Sequence, residues 1–145
     1  MQKTENNQLS LKQIIDFRIE KLNKIKSSGI NPYPNKFDKK EKISDIINNS
    51  NKYKNVQTAG RIISLRKMGK SCFMHLQENT NKIQIYIKND LLKENLYDDL
   101  IRNIDIGDII GVSGEIFYTK TEELSIKVSE VLLLAKNLYP LPNIK

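Results

Sequence analysis

The stretch that decides the fold is residues 56–88, VQTAGRIISLRKMGKSCFMHLQENTNKIQIYIK. Apolar and polar side chains alternate through it with a period of two, which is the pattern of half-buried strands. Two turns interrupt the alternation, at Met68-Gly69-Lys70 and at Asn79-Thr80-Asn81. The stretch therefore predicts three consecutive strands, over 56–66, 71–77 and 82–88.

The residues that follow complete a small barrel. A helix is predicted over 90–104, because apolar residues recur at every fourth position, at Leu92, Leu96, Leu100 and Ile104. Two further alternating stretches predict strands over 109–118 and 124–134. The order β-β-β-α-β-β predicts a mainly β protein with some α, built as a five-stranded OB-fold barrel over residues 56–138. In such barrels the face of strands 2 and 3 binds oligonucleotides or oligosaccharides.

A helix precedes the predicted barrel. Ser10 is a suitable N-cap, and apolar residues recur at helical spacing at Leu11, Ile14, Ile15, Ile19, Leu22 and Ile25. Gly29, Pro32 and Pro34 end this pattern, so we predict a helix over 9–28. Residues 30–55 are interpreted as a connector with an extended Pro-rich start and a short helix within 39–49. Residues 139–145 are interpreted as a linker toward a catalytic domain that this chain lacks.

Positive charge is concentrated in the first third of the chain. Residues 1–55 hold 12 Lys/Arg and 6 Asp/Glu, whereas residues 56–138 hold 11 of each, within a net charge of +7. A basic segment attracts a polyanion such as RNA, although charge alone equally serves solubility. Lys21 and Lys24 lie with Phe17 on the side of the predicted helix away from its apolar stripe. These two lysines are candidate accessory RNA contacts.

Several classes of protein do not fit the sequence. No stretch approaches the roughly 18–20 apolar residues of a membrane span, and the N-terminus has no apolar segment of a secretory signal. A single cysteine, Cys72, cannot form an internal disulfide or a zinc cluster, so a cytoplasmic protein is expected. The glycines Gly107, Gly111 and Gly114 lack the Lys-Ser/Thr of a phosphate loop and are expected in turns and bulges. We find no metal-ligand spacing, no nucleophile beside the lone His75 and no carboxylate pair for acid–base chemistry, so no catalytic residue and no metal are expected.

Alternation also assigns the two faces of each strand. The inward positions are Cys72, Met74, Leu76, Ile83, Ile85, Ile87, Leu124, Ile126 and Val128. The outward positions are then Phe73, His75, Gln77, Gln84, Tyr86, Glu123, Ser125 and Lys127. The outer face therefore combines aromatic rings with amide, carboxylate and cationic groups.

That combination suits single-stranded RNA. A ring such as Phe73 stacks on an unstacked base, which contributes ~1–3 kcal/mol. The amide of Gln84 can meet one donor and one acceptor of uracil, whereas the carboxylate of Glu123 can only accept and suits the N3–H. Arg66 could donate to a carbonyl or a phosphate. Each residue alone could instead pack under a loop or face solvent, and His75 is interpreted as an ordinary surface residue that could add an accessory contact.

Several segments carry a resemblance to a known family. They are RIEKLNKI (18–25), GINPYP (29–34), AGRI (59–62), RKMGK (66–70) with Phe73, KIQIY (82–86), DIGDIIGV (105–112), TKTEELSI (119–126) and LLLAKNLYPLP (132–142). In this order, over roughly residues 11–145, the chain resembles the N-terminal anticodon-binding (OB-fold) region of class II lysyl-tRNA synthetase, a lysine–tRNA ligase. The Thr-Lys-Thr-x-Glu-Leu-Ser and Leu-x-Pro-Leu-Pro segments favour the lysine enzyme over its aspartate and asparagine relatives.

The resemblance implies binding of the U-rich anticodon of lysine tRNA. By motif, the family's RNA-binding residues fall on Arg66, Phe73, Gln84 and Glu123. Lys70, which closes the RKMGK motif, is a further candidate contact. The family usually has glycine before the glutamate, whereas Glu122 stands here. We therefore expect the turn between strands 4 and 5 to lose a left-handed conformation and to gain negative charge near the RNA.

In that family a catalytic domain that handles ATP, magnesium, lysine and the tRNA end follows the Pro-Leu-Pro segment. This chain stops at Lys145 without the class II catalytic motifs, so no cofactor is expected to bind it. The chain is either a fragment of a full synthetase or a free-standing anticodon module. Two other functions stay open. One is a general single-stranded nucleic-acid-binding OB protein, and the other is a dimerisation or assembly module, because the family dimerises partly through this region.

Overall fold

The computed structural model describes residues 9–31 and 37–140, so residues 32–36 of the connector and residues 141–145 of the predicted linker fall outside it. Five strands form one closed barrel in the order β1-β2-β3-β5-β4. They are β1 (Asn55–Met68), β2 (Ser71–Glu78), β3 (Asn81–Lys88), β4 (Ile109–Tyr118) and β5 (Leu124–Ala135). Each predicted strand agrees with these bounds to within two residues. The predicted OB-fold barrel is confirmed.

Neighbouring strands pair antiparallel except at one seam. β1 pairs with β2 and β4, β2 with β3, and β4 with β5. β3 and β5 pair in parallel, with residues 84–86 opposite 125–127. This seam closes the barrel and brings the start of β5 beside the middle of β3.

The barrel interior is filled by the residues that alternation assigned inward. Cys72, Met74, Leu76, Ile85, Ile87, Ile126 and Val128 have no exposed surface, Ile83 is 3% exposed, and Leu124 packs against this core from a partly buried position. Full burial of such a side chain stabilises the fold by about 1.5–3 kcal/mol. The prediction that Cys72 is a small core side chain is confirmed by this burial, which also raises the pKa of its thiol.

A β-bulge divides β1 into two halves. Before it, the even-numbered residues face the core, ending with Ile62. The pairing with β2 shifts between Ile62 and Ser64, so one extra residue, Ile63, is inserted and the alternation reverses. Beyond the bulge, Ser64 lies opposite the outward-facing His75. Arg66, two residues further, therefore also faces outward, whereas strict alternation from Ile62 would have turned it into the core.

Helix α1 (Leu11–Ser27) precedes the barrel, as predicted. The Ser10 hydroxyl accepts a hydrogen bond from the backbone N–H of Gln13, whose side chain accepts one from the backbone N–H of Ser10. This reciprocal capping box fixes the start of the helix. Gly29 follows the helix with a left-handed backbone, φ 92°. No helix in the described part of the chain is both long and apolar enough to cross a membrane.

Polar contacts fasten α1 to one end of the barrel, just before β4. The Arg18 guanidinium donates to the carbonyl oxygens of Ile106 and Asn137, at 3.2 and 3.0 Å. The Lys21 ammonium donates to the carboxylate of Asp105 at 2.7 Å. The helix is thereby held by hydrogen bonds to residues that flank both β4 and β5.

A buried cluster of charges completes this attachment. The Lys136 side chain has no exposed surface, and its ammonium donates to Asp105 at 2.6 Å and to Asp108 at 2.7 Å. Burial alone would raise the pKa of Asp105, but the hydrogen bonds from Lys136 and Lys21 hold it below its ordinary value. One ionised carboxylate therefore joins α1 to the end of β5.

A second short helix, α2 (Ile43–Asn48), lies within the predicted range 39–49. Ile43 and Ile46 are fully buried in the core. The Glu78 carboxylate, at the end of β2, accepts hydrogen bonds from the backbone N–H of Ile43 at 3.0 Å and from Lys39. Burial alone would raise the pKa of Glu78, but these two donors hold it below its ordinary value.

The segment between β3 and β4 corrects the sequence prediction. A continuous helix over 90–104 is wrong, because the structure has only a short helix, α3 (Leu96–Asp99), between the 3₁₀ turns at 89–91 and 101–103. Asn95 has a left-handed backbone, φ 68°, which an α-helix cannot contain. Leu92, Leu100 and Ile104 are nevertheless buried. The spacing of four identified the buried side chains but not the backbone that carries them.

Candidate nucleic-acid interface

The strand register aligns a row of polar side chains across four strands. Ser64 on β1 lies opposite His75 on β2, which lies opposite Gln84 on β3, which lies opposite Ser125 on β5. Directly opposite residues share a face, so the whole row lies on the outer side of the barrel. The alternation predicted this side for His75, Gln84 and Ser125. It missed Ser64, because only the bulge brings that residue to the outer face.

A second row, parallel to the first, is aromatic with a cation at each end. It runs through Arg66, Phe73, Tyr86 and Lys127 on β1, β2, β3 and β5. The rings of Phe73 and Tyr86 lie 4.8 Å apart between centroids, tilted by 37°. The Arg66 guanidinium carbon lies 5.3 Å from the centroid of Phe73. This row offers ring surface for bases and positive charge for phosphates.

The two rows border an open pocket of about 460 Å³. Its lining residues are Arg66, Phe73, His75, Gln84, Thr119, Lys120, Thr121 and Glu123. All four predicted RNA-binding residues therefore meet in one place, with His75 among them. The turn between β4 and β5 provides the remaining side of the pocket, and its residues 119–121 belong to a family motif but had not been assigned a role.

Glu123 is held at both its backbone and its side chain. The Thr119 N–H donates to the carbonyl oxygen of Glu123, and the Thr119 hydroxyl accepts from the Glu123 N–H, both at 3.1 Å. Glu123 Oε2 lies 2.7 Å from His75 Nε2, and His75 Nδ1 lies 2.7 Å from Ser64 Oγ. The alternation placed the histidine on this face as a candidate accessory contact, but no sequence pattern indicated its hydrogen bonds to Ser64 and Glu123.

Two residues predicted to face outward are buried. Ser125 has no exposed surface and Gln84 is 6% exposed. Gln84 Nε2 donates to Ser125 Oγ at 2.9 Å, and that hydroxyl donates to the carbonyl oxygen of Glu123 at 3.1 Å. The expectation of an exposed Ser125 is wrong, because these hydrogen bonds draw its side chain against the neighbouring strand. Gln84 still lines the pocket.

The turn before Glu123 keeps its left-handed residue. Glu122 has φ 65°, so the expected loss of this conformation does not occur. Its N–H donates to the carbonyl oxygen of Thr119 at 2.7 Å, which closes the turn. A residue with a Cβ adopts this backbone at a cost of about 1–2 kcal/mol. The glutamate also adds an exposed carboxylate to the turn that borders the pocket.

The candidate accessory lysines lie in different surroundings. Lys70 is exposed in the turn between β1 and β2 and does not line the pocket. The Lys21 ammonium is bound to Asp105, whereas Lys24 is largely exposed and lies 3.9 Å from Glu20. Asp105, which binds Lys21, precedes β4, and the turn that borders the pocket follows β4. The ten residues of this strand, about 30 Å of extended chain, therefore separate Asp105 from the pocket turn.

The chemistry offered by the pocket is that of base recognition. Ring, amide, carboxylate and guanidinium groups can stack on a base, read its edge and contact its phosphate. Within the described ranges, no group of three or more His, Cys, Asp or Glu side chains is placed to hold a metal ion.

Comparison with known proteins agrees with this chemistry. Residues 56–134 match the tRNA anticodon family, described as an OB-fold nucleic acid binding domain. Nearly the whole chain is similar to proteins named lysine–tRNA ligase. The chain is 42% identical over 137 residues to the protein of Fusobacterium nucleatum and 41% identical over 152 residues to that of Haemophilus influenzae. It is 43% identical over 140 residues to the protein of Thermoanaerobacter pseudethanolicus. These matches cover 94%, 99% and 94% of this chain but 28%, 30% and 28% of the relatives, so the chain spans less than a third of their length. Because the family match covers the barrel, which is more than half of the chain, and includes Arg66, Phe73, Gln84 and Glu123, the chain belongs to the tRNA anticodon family of OB-fold nucleic-acid-binding domains.

Proposed function

We infer that the chain is the anticodon-reading part of a lysine–tRNA ligase and that it binds the U-rich anticodon loop of lysine tRNA. The observation that carries this function is the single pocket in which Arg66, Phe73, Gln84 and Glu123 meet. Similarity to lysine–tRNA ligases supports lysine as the amino acid of the whole enzyme. Lysine attachment, with its ATP and magnesium, is then the work of a catalytic domain and not of this barrel.

In this function each side chain has a distinct role. Phe73 stacks on an unpaired base, with Tyr86 beside it extending the ring surface. Glu123 accepts from the N3–H of a uracil, and the Gln84 amide reads a neighbouring carbonyl or N–H. Arg66 donates to a carbonyl or phosphate oxygen at the edge of the ring row. A carboxylate repels phosphate, so Glu123 favours base reading over simple attraction to the backbone.

Uracil and cytosine distinguish base reading from charge attraction. Cytosine presents an acceptor at the position where uracil presents its N3–H, and the Glu123 carboxylate cannot donate to it. The test measures binding of the chain to a synthetic anticodon stem-loop with uracils and to the same hairpin with cytosine at one loop position. We expect the uracil form to bind more tightly by about 1–3 kcal/mol. Gln84→Ala and Glu123→Ala are expected to reduce this difference and to leave the salt dependence of binding nearly unchanged.

A general single-stranded nucleic-acid-binding protein is the main alternative. Such a protein would bind uracil loops, cytosine loops and single-stranded DNA alike, because every base has a face for stacking. Equal affinity of the wild-type chain for all three probes would therefore replace the anticodon function with this one. We place the activity in the cytoplasm, which the single unpaired Cys72 supports.

A homodimer is a further proposal, supported by exposed apolar residues on α1. Leu11 is 54% exposed and Ile19 is 38% exposed, and both belong to the apolar stripe of the helix. Contiguous exposed apolar surface is typical of association sites. Sedimentation of the chain at increasing concentration tests this proposal, with Ile19→Ser expected to shift the equilibrium toward monomer. A monomer at all concentrations would contradict it.

A further inference from the structure

The strongest unassigned feature is the chain of hydrogen bonds that ends on Glu123. Ser64 Oγ lies 2.7 Å from His75 Nδ1, and His75 Nε2 lies 2.7 Å from Glu123 Oε2. We propose that His75, oriented by Ser64, is a positioning residue that aims the second oxygen of Glu123, Oε1, at the N3–H of a uracil. This inference rests on the proposed reading of the anticodon and identifies a residue on which its base specificity depends.

For a neutral imidazole ring, the donors and acceptors define one arrangement of protons. An ionised carboxylate only accepts, so His75 Nε2 carries a proton and donates to Glu123. In the neutral ring Nδ1 then accepts, and the Ser64 hydroxyl donates to it. The imidazole ring has one partner on each side, so the ring plane is fixed from both ends.

This bonding leaves Glu123 with a defined orientation. Its backbone is tied to Thr119 by two hydrogen bonds, and Oε2 is occupied by the histidine. Oε1 is the oxygen that remains to meet a ligand in the pocket. A long side chain fixed in advance loses less rotamer freedom when it binds, so its hydrogen bond contributes more to affinity and to discrimination between bases.

The location of the pair argues against a simple surface ion pair. The side chains of His75 and Glu123 are 34% and 44% exposed, and an ordinary pair of this exposure would contribute little to stability. Both line the pocket that also contains Phe73 and Gln84. The histidine reaches the carboxylate because β2 and β5 both adjoin β3, and the bulge in β1 brings Ser64 to the same outer face.

The experiment compares uracil and cytosine hairpins, as above, for four forms of the chain. They are wild type, His75→Ala, Glu123→Ala and the double variant. We expect His75→Ala to reduce the preference for uracil about tenfold. The effect of Glu123→Ala is the upper limit, because His75 acts through that carboxylate. The double variant is expected to match Glu123→Ala alone, because His75 acts through that carboxylate. Gln77→Ala, on the same strand but outside the pocket, is the matched control and is expected to leave the preference unchanged.

Two further variants keep the test decisive if His75→Ala loosens the fold. Ser64→Ala leaves both partners in place and is expected to reduce the preference about threefold. His75→Gln places an amide N–H at about the reach of Nε2 and is expected to restore part of the preference. Nitrogen NMR shifts of the ring provide a readout independent of RNA, and the protonated Nε2 of the neutral ring is the tautomer expected.

The possible outcomes separate this inference from the proposed function. A wild-type chain without any preference for uracil contradicts the proposed function itself. A wild-type preference that Glu123→Ala removes but His75→Ala and Ser64→Ala retain contradicts only the role of His75. Additive effects of the two single substitutions would assign His75 a direct contact of its own and would likewise overturn the positioning role.

Discussion

The guanidinium carbon of Arg66 lies 5.3 Å from the ring centroid of Phe73, its direct partner across β1 and β2. The contact leaves Phe73 partly exposed while a cation–π interaction and the neighbouring Tyr86 ring hold it in place. A stacking platform of this kind is oriented before any base arrives. The Phe73 ring should therefore contribute to the affinity for RNA and only weakly to the stability of the fold.

Phe73→Ala is expected to weaken binding to the uracil stem-loop by about 1–3 kcal/mol, because stacking is lost. The melting temperature should change little, since the ring is outside the barrel core. Phe17→Ala, which removes a half-exposed ring from α1, is the matched control and should leave RNA affinity unchanged. Unchanged affinity of the Phe73 variant together with a large loss of stability would mean that the ring is a packing residue.

Glu122→Gly is expected to stabilise the fold, because Glu122 has φ 65° and glycine adopts this backbone without strain. The free energy of unfolding, measured in urea, should rise by about 0.5–1 kcal/mol. This figure is a net gain, because glycine also has greater conformational freedom in the unfolded chain, which opposes folding. RNA affinity should also rise, because a carboxylate beside the pocket is removed. Glu122→Gln separates the two effects, since it should improve affinity without improving stability. A less stable glycine variant would show that the turn is not strained.

Glu78 gives the chain an acid-sensitive component of stability. Because its pKa is lower in the folded state, its contribution is fully present above the ordinary value of 4.5 and is lost as the pH falls through the folded value. Glu78→Gln should therefore lower the free energy of unfolding by about 1–2 kcal/mol at neutral pH and by much less at pH near 3. Urea titrations across this range provide the measurement, with Glu94→Gln as an exposed control. A difference that is constant with pH would show that the charge of Glu78 does not matter.

Lys21 and Lys24 are expected to have different roles, although they lie one turn apart on α1. Lys24→Gln should flatten the slope of log affinity against log salt by about 0.7, the value for one lost phosphate contact to a single strand. Lys21→Gln should instead lower stability by about 1 kcal/mol, because Asp105 loses a hydrogen bond at 2.7 Å. Salt titrations and urea unfolding of both variants measure these effects. A flattened slope for Lys21→Gln with unchanged stability would reverse the assignment.

Local pattern was sufficient for the barrel but not for the segment that precedes β4. The strands were predictable because each buries one face, and a period of two records this directly. The spacing of Leu92, Leu96 and Leu100 is equally regular, but Asn95 stabilises a local left-handed turn that the spacing cannot register. Between β3 and β4 these leucine side chains pack in or against the core, and the backbone that carries them is irregular.

For the site, chemistry and resemblance indicated Arg66, Phe73, Gln84 and Glu123, and the structure places them around one pocket. The hydrogen bonds that hold these side chains in the pocket were not predictable from the sequence. Whether His75 meets Glu123 depends on the seam between β3 and β5, which joins segments more than 30 residues apart. Lys21 likewise found a partner, Asp105, that is distant in sequence. Such pairings follow from topology, and no spacing along the chain contains them.

Because Ile63 is an extra residue in β1, the positions that face the core change from even to odd at the bulge. Upstream of it the even positions face the core, and downstream of it the even positions Ser64 and Arg66 face outward. Deletion of this one residue would exchange the two sets beyond it, placing Leu65 on the solvent side and the Arg66 guanidinium in an apolar interior. A single inserted residue thus allows Ile62 to pack in the core and Arg66, four residues later, to line the pocket on the outer face.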